Sequence, residues 1–214
     1  MKISNQSWLA QLQQDRGIAV IRAHQYHEGY LMALSVAAGG ISLIEITWNS
    51  DRAPELIHQL RGELPHCRIG TGTLLNLAQL REAVDAGAQF LFTPHVDITL
   101  IRAAEEADIP IVPGALSPTE IIAAMNAGAS CVKVFPIQAV GGVNYIKALQ
   151  GPLGHIPLIP TGGVNLGNAK EFIKAGAIAV GLSGDLFPKA LVEAGNWDGI
   201  TQLAKNLREQ IANG

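Results

Sequence analysis

Two charged side chains stand where a buried strand should carry none. Lys133 lies within Cys131-Val132-Lys133-Val134-Phe135, and Glu45 within Leu43-Ile44-Glu45-Ile46. An unpaired ammonium or carboxylate in such a run is costly unless it is neutralised or paired. Each therefore needs a chemical reason. Removal from water disfavours the charged form of an amine, and a neutral amine attacks a ketone to give an imine. The iminium then draws electrons out of a neighbouring carbon–carbon bond. A carboxylate beside it carries the protons that this cleavage moves. An amine and a carboxylate facing one another are thus a minimal set for breaking the bond next to a ketone. The competing reading is a buried ion pair that satisfies only itself.

Anion-binding signals lie further along the chain. Thr161-Gly162-Gly163-Val164 follows one short apolar run, and Gly181-Leu182-Ser183-Gly184 closes another. Glycines let backbone N–H groups approach a phosphate closely, and Ser183 adds a hydroxyl donor. Gly70-Thr71-Gly72-Thr73 offers small hydroxyl residues to a substrate carboxylate. Arg22 offers a bidentate fork to an acid group. Phe135-Pro136 and Thr93-Pro94 are expected to wall the cavity, with His95 on its rim. The six histidines show no ligand spacing on one helix face, so no metal site is expected.

These residues need a scaffold that gathers strand ends. Short β-branched runs alternate with longer amphipathic segments. The pattern predicts strands at Ile18–Arg22, Leu43–Thr47, Arg68–Thr71, Phe90–Thr93, Ile111–Val112, Cys131–Phe135, Leu158–Pro160 and Ala179–Leu182. Helical patterns between them include Glu28–Ala38, Leu77–Ala86, Ile98–Ala107, Thr119–Ala127 and Ala169–Ala175. Three of these end in Ala-Gly, at 86–87, 127–128 and 175–176, where glycine supplies the positive φ that stops a helix. Strand and helix in alternation imply a parallel sheet. Eight strands in 214 residues suit an α/β fold of the (β/α)₈ TIM-barrel class, whose chemistry lives at the C-terminal strand ends. The alternative, an open doubly wound sheet, lacks a Gly-x-Gly-x-x-Gly turn after its first strand. In the barrel, Glu45 on strand two and Lys133 on strand six lie opposite each other and share an inward layer. Asn5–Asp15 reads as an extra helix covering the barrel floor, and residues 1–214 as a single domain.

Composition narrows the function further. The chain is 48% hydrophobic and 15% charged, the reverse of a disordered protein. A net charge of −3 with 5% aromatic residues disfavours nucleic acid as a partner. No apolar stretch suits a signal peptide or a membrane span. Cys67 and Cys131 lack a Cys-x-x-Cys spacing, so buried free thiols and a cytoplasmic setting are expected.

Taken in order, several segments resemble one family. They are IEIT at Ile44–Thr47, GTGT at Gly70–Thr73, TP at Thr93-Pro94, VPG at Val112–Gly114, VKVFP at Val132–Pro136 and PTGGV at Pro160–Val164. They look like the 2-keto-3-deoxy-6-phosphogluconate/4-hydroxy-2-oxoglutarate aldolases, from about Gly17 to near the C-terminus. The resemblance implies a homotrimer of (β/α)₈ barrels that needs no metal or organic cofactor. It implies Lys133 as the Schiff-base lysine and Glu45 as the acid/base. Thr73 would hold the pyruvate carboxylate, with Arg22 and Pro94 lining the site. Gly162, Gly163 and Ser183 would bind phosphate, and Thr161 would touch substrate. Two positions depart from the pattern. Thr47-Trp48-Asn49 stands where the family has threonine, leucine and arginine, and His95 where it commonly has glycine. A shifted specificity is the expected consequence, with Arg52 as a candidate replacement charge. Two other readings compete: a phosphosugar isomerase barrel with Glu45 as base, and a ligand-binding barrel that has lost activity.

Overall fold

The computed structural model describes residues 5–212. Its strands are β1 (Gly17–Ile21), β2 (Leu43–Thr47), β3 (Arg68–Gly72), β4 (Leu91–Phe92), β5 (Ile111–Val112), β6 (Gly114–Ala115), β7 (Val132–Val134), β8 (Leu158–Pro160) and β9 (Val180–Leu182). Their pairings are parallel, in the orders β5-β4-β3-β2-β1-β9 and β6-β7-β8. Two joints close these arcs into a (β/α)₈ barrel. At one, Thr161 bridges to Gly181 and the Ile178 N–H donates to the Leu158 carbonyl at 3.0 Å. At the other, Pro113 alone separates β5 from β6. Proline has no N–H for the ladder, so β5 and β6 are one barrel strand interrupted at Pro113. The sequence pattern caught only its first half, Ile111–Val112, because Pro-Gly reads as a stop.

The helices are α1 (Asn5–Asp15), α2 (Tyr26–Ala38), α3 (Ala53–Glu63), α4 (Leu77–Asp85), α5 (Ile98–Glu106), α6 (Pro118–Asn126), α7 (Val143–Leu153), α8 (Ala169–Lys174), α9 (Lys189–Glu193) and α10 (Trp197–Ala212). Local chemistry sets several boundaries. Asn76 and Asp97 cap α4 and α5, and Ser117 with Glu120 forms a capping box at α6, satisfying N–H groups that a helix start leaves bare. Gly87, Gly128 and Gly176, with φ of 89°, 105° and 101°, follow α4, α6 and α8 as the sequence suggests.

Strand alternation divides the core in two. Ile18, Val20, Leu43, Phe90, Phe92, Val112, Cys131, Ile159 and Ala179 fill the barrel with Trp8 and Leu12 from α1. Ala19, Ile21, Ile44, Ile46, Val132 and Val134 face the helical layer. The same alternation turns Glu45 and Lys133 inward. Trp8 stacks on Phe90 at 5.0 Å, so α1 closes the floor as expected. Cys67 and Cys131 are free and buried. Burial pushes their thiols up to about 11 and about 12 respectively, which leaves little reactive thiolate. Among the described residues no helix is long and apolar enough to cross a membrane.

Candidate active site

Lys133 and Glu45 sit inside the barrel at 6% and 1% exposure, so neither is solvated from the rim. The Lys133 amine is held between two aromatic rings, 4.8 Å from the Phe135 centroid and 5.7 Å from that of Phe92. Burial raises the Glu45 carboxyl above its ordinary range, and the opposing pull of Lys133 and Arg22 only partly offsets it. The two groups feel each other's field, yet they form no ion pair among the described residues. Glu45 Oε1 is buried without a hydrogen-bond partner. A pair that merely satisfied itself would have closed this gap, because an unmade hydrogen bond in low dielectric is expensive. The carboxyl and the amine thus share the barrel interior without pairing.

The surrounding strands keep that arrangement open. A Cβ on Gly72 would fall against Glu45 Oε1, 2.5 Å from the carboxyl carbon and 3.1 Å from Phe92 Cβ. Gly72 therefore has no side chain because the Glu45 carboxylate occupies its place. From the sequence, Gly72 counts only as a spacer within Gly70–Thr73, and Phe92 has no role at the site. Counting by twos from Phe90 would have put Phe92 on the inward face, one step nearer the site.

At the C-terminal strand ends the expected residues come together around this centre. Thr73, just beyond β3, adopts φ of 63°, a strained backbone for a β-branched residue. Arg22 follows β1 and is exposed, but close enough to act on Glu45. The residue after it, Ala23, is tied to the turn after β2. The Ala23 N–H donates to Ser50 Oγ at 3.2 Å, and the Asp51 N–H to the Ala23 carbonyl at 3.0 Å. Pro94 follows β4, with its carbonyl against Gly114, and the Thr93 hydroxyl donates to the His95 carbonyl at 2.6 Å. Asn49 and His95 are both exposed. Arg52 does not replace the missing arginine. Its guanidinium lies over the Tyr26 ring at 4.7 Å and pairs with Glu55 at 3.4 Å, on the flank of the barrel. Arg22 is the arginine whose charge reaches Glu45.

The glycine loop after β8 is built as a donor surface. The carbonyls of Thr161 and Gly162 accept from Ile137 and Gln138 N–H groups, each at 3.0 Å, and the Gly163 carbonyl accepts from Asn168 Nδ2 at 3.0 Å. With its acceptors engaged, the loop leaves the Gly163 N–H without a partner among the described residues. Gly162 and Gly163 have φ of 79° and 105°, and a Cβ on Gly162 would press the Phe135 ring at 3.0 Å. Phe135 thus packs between the amine and the loop. Thr161 is buried over Gly181, and Ser183 is exposed on the neighbouring strand end. Among the described residues no group of three His, Cys, Asp or Glu side chains could hold a metal ion.

An amine and a carboxylate on facing strands at the open end of a parallel barrel, beside a glycine loop, are the groups that a Schiff-base lyase requires. The comparisons agree. A family model for KDPG and KHG aldolase matches residues 9–203. The KHG/KDPG aldolase of Escherichia coli (strain K12) is 33% identical over 192 residues, 90% of each chain. Among solved structures, a KDPG aldolase from Legionella pneumophila, with pyruvate captured as a covalent carbinolamine, superposes with a TM-score of 0.86 at 29% identity, over 93% of this chain and 97% of that one. A designed cube-shaped cage, made by fusing symmetric oligomeric domains, matches at a TM-score of 0.83 and 29% identity, over 92% of this chain and 72% of that one. The chain belongs to the KDPG/KHG aldolase family and is a class I aldolase by that membership.

Proposed function

We propose that the enzyme cleaves 2-oxo-4-hydroxy acids to pyruvate and an aldehyde. The candidate substrates are 2-keto-3-deoxy-6-phosphogluconate, giving glyceraldehyde 3-phosphate, and 4-hydroxy-2-oxoglutarate, giving glyoxylate. The observation that carries the reading is the buried, unpaired Glu45 facing Lys133. Lys133 attacks the ketone and forms the imine. Glu45, directly or through one water, takes the proton of the 4-hydroxyl, and the bond between the third and fourth carbons breaks into the iminium. Glu45 returns a proton to the enamine, and water releases pyruvate. Thr73 and Arg22 hold the acid end with Pro94 and Phe135 as walls. Thr161, Gly162, Gly163 and Ser183 receive the far end, where a phosphate meets N–H and hydroxyl donors. No cofactor enters this scheme, because the imine itself is the electron sink.

The same sink serves loss of carbon dioxide from oxaloacetate. Coupled assays of pyruvate release test the reading. Turnover of at least one of the two hydroxy acids is expected, with slower turnover of oxaloacetate above its spontaneous decay. No pyruvate from any of the three overturns the assignment.

A homotrimer and a cytoplasmic setting complete the proposal, with the whole chain acting as one catalytic domain. Leu75, Ile98 and Ile122, exposed at 53%, 49% and 37%, lie just before α4, at the start of α5 and in the middle of α6. Large apolar side chains left exposed on successive elements favour burial against another subunit. Light scattering is expected to give three times the 22.6 kDa chain mass, and Ile98→Lys to lower that value. A monomeric mass for the parent protein rules the trimer out.

A further inference from the structure

One acidic side chain stands at the glycine loops and has no part in the chemistry above. Asp185 lies in the turn after β9, two residues beyond Ser183, and its Oδ2 accepts the Leu166 N–H at 2.7 Å. Leu166 belongs to the loop that carries Gly162 and Gly163. The roots of these two loops are already fixed by the Thr161–Gly181 bridge. Their tips are joined only by this bond among the hydrogen bonds of the described residues. Around it the first loop braces itself. The Asn165 N–H donates to Asn168 Oδ1 at 2.8 Å, the Asn168 N–H to Asn165 Oδ1 at 3.0 Å, and Asn168 Nδ2 to the Gly163 carbonyl. On the other side, the Ser183 carbonyl accepts from the Leu186 and Phe187 N–H groups at 2.9 and 3.2 Å.

Each loop is thus ordered internally, but glycines at 162, 163 and 184 give both tips a wide backbone range. Donors on two such loops can converge on one anion only if the tips keep their spacing, and ordering them at the moment of binding lowers affinity. A carboxylate is also a curious residue to keep beside a phosphate, since its charge repels the ligand. Its use as an acceptor for a backbone N–H explains its presence.

We propose that Asp185 is a positioning residue for the far-end subsite. It latches the β9 turn to the β8 loop so that Gly162, Gly163 and Ser183 present their donors together to a phosphorylated substrate. The proposal rests on the phosphate-binding reading given above. It separates two properties of one side chain, the acceptor that holds the loop and the charge that opposes the ligand.

Two substitutions resolve them. Asp185→Ala removes acceptor and charge, whereas Asp185→Asn keeps a carbonyl acceptor and removes the charge. KM and kcat are measured for 2-keto-3-deoxy-6-phosphogluconate and for the unphosphorylated 4-hydroxy-2-oxoglutarate, alongside hydrogen exchange at the Leu166 amide. In Asp185→Ala the KM for the phosphorylated acid is expected to rise about tenfold, the scale of one lost charge-assisted hydrogen bond. Its kcat should change little, the unphosphorylated acid should be affected far less, and Leu166 exchange should quicken. In Asp185→Asn that KM should stay at or below the parent value, with exchange still slow. A parent preference for the phosphorylated acid that Asp185→Ala leaves intact overturns the role of Asp185 alone. Equal rises for both substrates also overturn it, since they indicate a general structural loss. Equal KM values for the two acids in the parent enzyme sink the phosphate reading and this inference together.

Discussion

Borohydride added to the enzyme with pyruvate is expected to fix a pyruvyl group on the peptide carrying Lys133, and Lys133→Ala to abolish both the adduct and turnover. Lys133 is 6% exposed on a strand whose neighbours Val132 and Val134 point away from it. Its amine rests between the Phe92 and Phe135 rings rather than on a carboxylate. A lysine serving structure alone would pair with the carboxylate across the barrel, and Glu45 Oε1 is left unbonded instead. With the nucleophile removed, no other buried lysine among the described residues replaces it, so turnover should fall roughly 10⁴-fold or more. The substitution trims a long side chain to a methyl and introduces no clash, so the fold should survive. Circular dichroism and the native mass by light scattering check that point. An adduct mapped to a different lysine, or turnover that persists in Lys133→Ala, refutes the Schiff-base role assigned here.

The positions of the proposed catalytic pair were legible because they violate a rule. Charges within runs such as Leu43–Ile46 and Cys131–Phe135 stand out against a period-2 pattern, and the parity of strands two and six set them facing each other. Both ended up inward as reasoned. Helix ends at Gly87, Gly128 and Gly176 were equally legible, since a positive φ asks for glycine. What stayed hidden is what depends on contact between segments far apart in sequence. Phe92 looks like any strand phenylalanine until Lys133 is placed above it. Gly72 looks like a turn glycine until the Glu45 carboxylate fills the space of its missing Cβ. Arg52 looked available to replace the arginine absent at position 49, because sequence distance says nothing of direction. Tyr26 and Glu55 turn it to the outer flank. The second half of strand five was lost to Pro113, a residue that argues against a strand locally but is tolerated at an interruption.

Glu45→Gln should lower kcat roughly 10²–10⁴-fold, the usual contribution of a positioned acid/base, while pyruvate can still be trapped on Lys133. That split separates proton transfer from imine formation. Gly72→Ala should give the same phenotype by a different route. Its Cβ displaces the carboxylate without changing its chemistry, because Oε1 and the new methyl cannot share the space. The pH dependence follows from burial. The Glu45 carboxyl is raised above its ordinary value of 4.5, chiefly because burial penalises its charged form, with Lys133 and Arg22 opposing. An acid whose folded-state pKa is raised contributes stability that is complete below the unfolded value and is lost as pH rises through the folded one. The parent enzyme should therefore lose stability relative to Glu45→Gln as pH climbs above about 4.5. The two should draw together again below that value. In activity, the acid limb of the parent's kcat/KM profile should lie above the ordinary carboxylate range and vanish in Glu45→Gln. Thermal melts across pH and the kinetic profile test both consequences. A constant difference in Tm between the two proteins from pH 4 to 8 would show that Glu45 does not titrate with folding, and an unchanged acid limb in Glu45→Gln would remove it from the proton path.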